Sequence, residues 1–303
     1  MKVLISGLPL FSKRLAEELQ KFDPESKYIF LDTYNSKWDQ LKFFLQIPFS
    51  DVVISMNGVT DNSGSLNLVL KWKKKLILQW MGTDALLAMD RFKNKTIERK
   101  YIDYSYNFVD SEWLMEEVKS INVEPEYQHF KSVVVKPNPT VYKRISVMSY
   151  VAENRQAFYG MERISELAKV FPEIDFQLFG LSKSDFPITS NVHLNGWVNA
   201  DEFENYLRET PIFLRLTEHD GFSVSVIEAL ASGCEVMMSL PFELTYLAKN
   251  SNESIVGMNQ LIEKIKNRGM KPNNEMMELV KTRYNPETLA TNYIQKIKEI
   301  VNQ

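Results

Sequence analysis

Two carboxylates separated by a glycine turn and the first coil of a helix carry the most chemistry in this sequence. They stand in Arg215-Leu-Thr-Glu-His-Asp220-Gly-Phe-Ser-Val-Ser-Val-Ile-Glu228-Ala-Leu-Ala-Ser-Gly233. An apolar strand-like run ends at Leu216, a polar loop follows, and Gly221-Phe222-Ser223 opens a helix. The first N–H groups of a helix lack intrahelical partners, and with the dipole behind them they make a seat for a phosphate. Glu228 lies about one turn into that helix, where its carboxylate can accept hydrogen bonds from sugar hydroxyls. Asp220 precedes the turn and is expected to face the same space. The pair suits a ligand with both pyrophosphate and hydroxyls, as a nucleotide sugar has.

Alternating elements must position these residues. Short apolar runs at 3–6, 28–31, 51–55, 76–80, 106–109 and 133–135 read as strands, with helices near 12–22, 36–45, 65–72, 96–101 and from Ser111, an N-cap candidate. The second half repeats the pattern. Its strands are expected at 146–151, 176–179, 192–194, 212–216 and 235–238, with helices near 160–170, 201–209 and 225–231. Strands apolar on both faces and alternating with helices imply parallel sheets covered on two sides. Lys136-Pro-Asn-Pro-Thr140 breaks regular structure twice and marks the linker. We therefore expect an N-terminal acceptor-side domain over 1–143, a second domain over 144–285 that binds the nucleotide sugar, and a helix over 286–303 crossing back. Ligands of doubly wound sheets sit beyond the carboxyl ends of the strands, so the expected site is the cleft between the domains.

Composition bounds the function. The 303 residues are 44% hydrophobic and 25% charged, with a net charge of −3, a globular profile that argues against nucleic-acid binding. No stretch has the run of apolar residues a spanning helix needs, and Met1 to Gly7 reads as a first strand rather than a signal peptide. The expected location is cytoplasmic. Peripheral contact with the inner face of the membrane stays open, because Lys71-Trp72-Lys73-Lys74-Lys75 could meet anionic lipid; a solvated helix end is the reading preferred. The single cysteine, Cys234, leaves no disulfide or cysteine-based zinc site and reads as a small buried residue before a strand. His129, His193 and His219 share no metal-ligand spacing, so no metal is expected. The aromatic stretch from Trp38 to Phe49 is read as core packing of an amphipathic helix, with a lipid or aromatic acceptor as the alternative.

The acidic segment resembles the acidic-x7-acidic signature of retaining GT-B glycosyltransferases, the "group 1" or family 4-like kind. There the usual text is an acid, Gly-Phe-Gly or similar, and Glu-Ala-Met-Ala-x-Gly; here it is Asp220-Gly-Phe-Ser and Glu228-Ala-Leu-Ala-Ser-Gly233. Weaker echoes follow the family order. Val133-Val-Val-Lys-Pro-Asn138-Pro resembles its hinge, Leu194-Asn-Gly196-Trp its strand and glycine unit, and Trp80-Met-Gly82-Thr-Asp84 a loop of some members. The resemblance implies two Rossmann-like doubly wound α/β domains facing across a cleft. It also implies transfer of a sugar, with retention of configuration, from a UDP-, GDP- or similar sugar to a hydroxyl acceptor in glycan, lipid-linked or small-molecule form. No cofactor or metal is implied.

The resemblance also assigns roles. Glu228 would hold the ribose hydroxyls and Asp220 the hydroxyls of the transferred sugar, while Gly221, Phe222, Ser223 and Val224 would offer backbone groups. Arg155 would neutralise the leaving diphosphate, and Gly7 would let substrates approach the backbone. Tyr159 stands where the family carries a Lys, which removes a charge; Lys183 is one substitute. Gln79 stands where a first-domain His is common. A catalytically weak nucleotide-sugar-binding partner subunit of the same fold is the rival reading, and an epimerase or phosphorylase on this scaffold a third. Arg155 as a surface residue, Asp220 as a turn cap, Asp84 as a turn former and Arg215 as a structural ion-pair partner remain the plainer alternatives. The sequence leaves base, sugar, acceptor and oligomeric state unassigned.

Overall fold

The computed structural model describes all 303 residues. The chain divides into one unit of residues 1–132 and 286–303 and another of residues 133–285.

The first unit begins β1 (Lys2–Gly7), α1 (Pro9–Phe22), β2 (Lys27–Phe30), α2 (Lys37–Gln46), β3 (Val52–Met56), α3 (Gly64–Lys71) and β4 (Lys75–Gln79). It continues α4 (Thr83–Lys93), α5 (Lys100–Tyr104), β5 (Tyr106–Val109), α6 (Glu112–Ser120) and β6 (Glu126–Tyr127). The six strands form one parallel sheet ordered β2-β1-β3-β4-β5-β6. β1 and β3 are buried along almost their whole length, as parallel strands covered by helices on both faces must be. The two-residue period sends Leu4, Val53 and Leu76 into one core layer with Phe43 and Val69. It sends Val3, Ile5, Val52 and Ile54 into the opposite layer with Leu15 and Leu19.

The second unit carries β7 (Ser146–Tyr150), α7 (Met161–Val170), β8 (Asp175–Phe179), β9 (Val192–Leu194), α8 (Ala200–Glu209) and β10 (Ile212–Arg215). It goes on through α9 (Val224–Ala231), β11 (Glu235–Met238), β12 (Tyr246–Leu247), α10 (Ser251–Asn267) and α11 (Asn274–Arg283). Its parallel sheet is ordered β12-β11-β10-β7-β8-β9. Val147, Leu178 and Leu214 pack under Ile164 and Leu167 of α7 and Leu261 of α10. Asn199 and Glu202 form a capping box that starts α8. Cys234 is buried just before β11, its Sγ directed at the carbonyls of Leu207 and Thr210, and burial pushes its thiol pKa up.

The last helix, α12 (Pro286–Asn302), packs on α1 of the first unit. Tyr293, Ile297 and Ile300 are fully buried there, and the Tyr293 hydroxyl lies 3.1 Å from Oε1 of buried Gln79. Each such side chain adds roughly 1.5–3 kcal/mol relative to exposure.

Three expectations need correction. Val133-Val-Val135 is not a strand: the Val133 N–H donates to the Tyr284 carbonyl at 3.0 Å and Val134 is exposed, so the run has no ladder partner. The first sheet ends instead in β6. The proline-rich stretch belongs with the second unit, where Asn138 donates to the carbonyls of Arg208 and Ser232 at 3.0 and 2.8 Å. The aromatic stretch on α2 is not core: only Phe43 and Ile47 are buried, while Trp38 and Phe49 are each 74% exposed.

Candidate functional site

The second sheet, renumbered from its own first strand, reads 3-2-1-4-5-6, the order of the dinucleotide-binding fold. Its direction reverses between β7 and β10, and ligands of open α/β sheets bind beyond the carboxyl ends of strands at such a point. The two exits are locked together. Gly160, at φ 73°, ends the β7 loop so close to β10 that an added Cβ would lie 2.2 Å from the Leu216 carbonyl oxygen. The Glu218 N–H donates to the Phe158 carbonyl at 2.8 Å, and the Thr217 hydroxyl lies 3.0 Å from the same oxygen.

A third loop is held to the same end. Buried Gln156 donates from Nε2 to the carbonyls of Glu153 and Lys183, each at 3.1 Å, and accepts from the Asp185 N–H at 2.9 Å. Glu153 Oε2 accepts the Ser182 N–H at 2.7 Å. These bonds bind the β8 loop, with exposed Lys183, to the turn that carries Arg155. Arg155 is itself exposed, its guanidinium 3.8 Å from the Phe158 ring centroid.

Arg215 ends β10 and is buried, and its Nε donates to Asp220 Oδ2 at 2.8 Å. Burial alone would lower the Arg215 pKa, but the charge and hydrogen bonds of Asp220, with Tyr159, outweigh it and hold the guanidinium more firmly charged. The guanidinium also lies 4.9 Å from the Tyr159 ring centroid. Tyr159 packs edge-on against Tyr150 at 5.7 Å and Phe158 at 5.6 Å. The strand arginine that the sequence leaves between structure and chemistry therefore fixes the first acid of the motif. Its guanidinium, balanced by the Asp220 carboxylate, also lies beside Tyr159.

The turn behind Asp220 is anchored by its aromatic residue. Phe222 is buried, with ring centroids 5.2 Å from Phe242 and 5.4 Å from Tyr284. Its side chain is thus a structural post, which leaves only its backbone for a ligand. Ser223 occupies the N-cap of α9 without a side-chain cap bond, its Oγ lying 3.0 Å from Ser225 Oγ. Along α9, Val226, Ile227, Ala229 and Leu230 are buried, whereas Val224, Ser225 and Glu228 are not. Those three share one helical stripe, so Glu228 stands half-buried on the same stripe as Val224 and Ser225 of the first turn. His219 is buried beside this loop, and no three His, Cys, Asp or Glu side chains come together as a metal-binding group.

The first unit has a cavity of its own, about 390 Å³, at the β1–β3 switch point of its sheet. It is lined by Ser6, Gly7, Tyr34, Gln40, Phe44 and Ser55 among others. Gly7, at φ 108°, admits the Met56 backbone, whose nitrogen would lie 2.7 Å from an added Cβ. Trp80 is buried, with Nε1 donating to Asn107 Oδ1 at 3.0 Å. Asp84 is buried too, and its carboxylate accepts the N–H groups of Gly58, Met81, Gly82 and Ala85 at 2.5, 3.0, 2.7 and 3.1 Å. Burial pushes the Asp84 pKa up against the pull of those amides. Asp84 therefore forms a turn, joining the loops that follow β3 and β4.

Gln156 and Glu153 escape a motif search because their work is bonding one loop to another. The only trace is a buried amide after an apolar strand, which propensity cannot distinguish from a surface glutamine.

No protein-family profile matches the sequence, and no curated protein does either. Solved structures do. A glycosyltransferase from Rickettsia africae is similar over 99% of this chain and 98% of its own, with TM-score 0.73 and 11% identity. Sucrose-phosphate synthase from Thermosynechococcus elongatus covers 99% of each chain, with TM-score 0.71 and 10% identity. The pneumococcal O-GlcNAc transferase GtfA, solved with UDP and GlcNAc, has TM-score 0.60 and 13% identity. That match covers 88% of this chain, which spans only 60% of GtfA's length. With two parallel, doubly wound six-stranded sheets and these likenesses, the chain has the GT-B fold of nucleotide-sugar glycosyltransferases.

Proposed function

We propose that the chain is a retaining glycosyltransferase that moves a sugar from a nucleoside diphosphate sugar to a hydroxyl acceptor, without a bound metal. The observation that carries the reading is the meeting of four features at the switch point of the second sheet. These are the α9 turn without a side-chain cap, half-buried Glu228 on its open stripe, buried Arg215 paired with half-buried Asp220, and Arg155 on the neighbouring exit. The UDP and GlcNAc held by GtfA support the same class of donor.

In this reading the amides of Gly221 to Val224 take the diphosphate and Glu228 takes the ribose hydroxyls. Asp220, aimed by Arg215, takes hydroxyls of the transferred sugar. Arg155 and Lys183 neutralise the charge that grows on the diphosphate as the bond from sugar C1 breaks, and cations preset for a developing charge lower a barrier most. The acceptor oxygen bonds to C1 on the face the diphosphate leaves. Its proton passes to the departing phosphate oxygen, so no protein base is required. The first-unit cavity beside Gly7 takes the acceptor.

The partner-subunit alternative draws its force from the missing lysine at Tyr159. Arg215, 4.9 Å from that ring, is paired with Asp220 and adds no net charge there, so the enzyme reading takes its cations from Arg155 and Lys183. The thermal midpoint of the purified chain with UDP, GDP, ADP and dTDP tests the donor seat: one should raise it, and Glu228→Ala should remove the rise. No rise with any of them defeats the proposal. With the matching donor and an acceptor, NMR must show the anomeric configuration kept, and a chelator must leave turnover unchanged.

A further inference from the structure

Helix α2 has two apolar faces. Phe43 and Ile47 hold it to the first unit. On the opposite side Trp38, Leu41 and Leu45 recur at i, i+3 and i+7, and Phe49 lies in the turn just beyond. Helical spacing puts the first three on one stripe, and Phe49 extends the exposed apolar surface from the 3-10 turn that follows. They are 74%, 48%, 55% and 74% exposed, a continuous ridge of large side chains in water. Isolated exposed apolar residues are ordinary, whereas an aligned ridge of this kind marks an interaction surface.

The charges around the ridge say what it meets. Lys37 and Lys42 flank it on α2, and the Lys2 ammonium lies 5.9 Å from the Phe49 ring centroid. Helix α3 packs beside α2 and ends in Lys71, followed by Trp72, 51% exposed, and exposed Lys73. Asp39, paired with Lys42 at 3.2 Å, and Asp51, which accepts the Lys2 backbone N–H at 2.7 Å, offset two of these five lysine charges and leave the face positive. A Trp-, Phe- and Leu-bearing face bordered by lysines is built to lie in the headgroup boundary of a bilayer, the rings below and the ammonium groups among the phosphates. Pairing of two copies through this face would set their lysines against one another, whereas anionic lipid complements them.

We infer that the Trp38–Leu41–Leu45–Phe49 ridge of α2, bordered by Lys2, Lys37, Lys42, Lys71 and Lys73, docks the protein on an anionic lipid surface. The docking is independent of the donor site, since the ridge and the α9 turn belong to different units. It does give the acceptor side a direction, because Gln40, Phe43 and Phe44 of the same helix line the first-unit cavity.

The test is co-sedimentation of the full chain with phosphatidylglycerol-containing vesicles and with pure phosphatidylcholine vesicles. Binding is expected to the first only, falling with added salt as the lysines are screened. The double variant Trp38→Ser/Leu45→Ser should bind at least about tenfold more weakly. Lys37→Gln/Lys42→Gln should lose severalfold and much of the salt dependence. Because these side chains are exposed, the thermal midpoint and any nucleotide-induced shift should stay as in the parent, which separates failure here from failure of the donor reading. The inference is overturned if the parent chain stays in the supernatant, or if the ridge variant sediments like the parent. It is equally overturned if light scattering finds a dimer that the ridge variant dissolves while no vesicle binding occurs.

Discussion

Asp84 gathers the amides of Gly58, Met81, Gly82 and Ala85 on one buried carboxylate, and the chemistry of that arrangement is one-directional. Four donors need an acceptor with lone pairs on both oxygens, which a carboxylate has and an amide lacks. Asp84→Asn should therefore be nearly as damaging as Asp84→Ala, each costing at least about 2 kcal/mol by urea denaturation, since a buried donor left unmet loses its solvation without return. A catalytic role without a structural one would instead leave the urea midpoint of both variants in place. At this scale the sequence speaks where the motif fixes both type and spacing: Asp220, Glu228 and Gly221 are proposed on that ground. It is ambiguous for Arg215 and Asp84, because spacing says nothing about where a guanidinium or a carboxylate turns. That depends on a partner five residues away for Arg215, and on a loop 26 residues distant for Asp84.

Gly160 shows how one position joins two elements. An alanine there would need φ 73° and would put its Cβ 2.2 Å from the Leu216 oxygen, so the exits of β7 and β10 would have to part. Gly160→Ala should cost about 2 kcal/mol or more and blunt any nucleotide-induced stabilisation. Gly64→Ala, with nothing within 4 Å of the new Cβ, is the control and should leave the midpoint almost unmoved. The alternation of apolar runs and helices yields most strands of both sheets to within a residue or two. It misses α4, whose N-cap is Gly82 with no side-chain bond, and it passes over α10 and α11 although Asn250 and Asn273 cap them. It also places the aromatic face of α2 inward. Composition shows that a helix is apolar, but a helix apolar on two sides gives no sign of which side the core takes.

At the scale of the molecule, Asp23 ties together segments far apart in the chain. It follows α1, accepts the Tyr28 hydroxyl at 2.9 Å and pairs with Lys298 of α12 at 3.2 Å. Burial pushes its carboxyl up, but the hydrogen bonds from Ser26, Tyr28 and Lys298 outweigh that and hold the pKa below its ordinary value. A carboxyl depressed in the folded state stabilises above its unfolded pKa and loses that contribution as the pH falls through the folded one. Stability should thus drop as the pH falls below about 4, and Asp23→Asn should flatten that acid limb while lowering the plateau above it. Unfolding curves of both proteins over a pH series read this directly.

The first unit is written in two pieces, with residues 133–285 inserted between them. Its layer around Val3, Ile5 and Leu19 lacks Tyr293, Ile294 and Ile297 until the final helix arrives. During synthesis the inserted unit can therefore close while its elder neighbour still waits with one face open. Shortening the chain from its carboxyl end would injure the part that was made first.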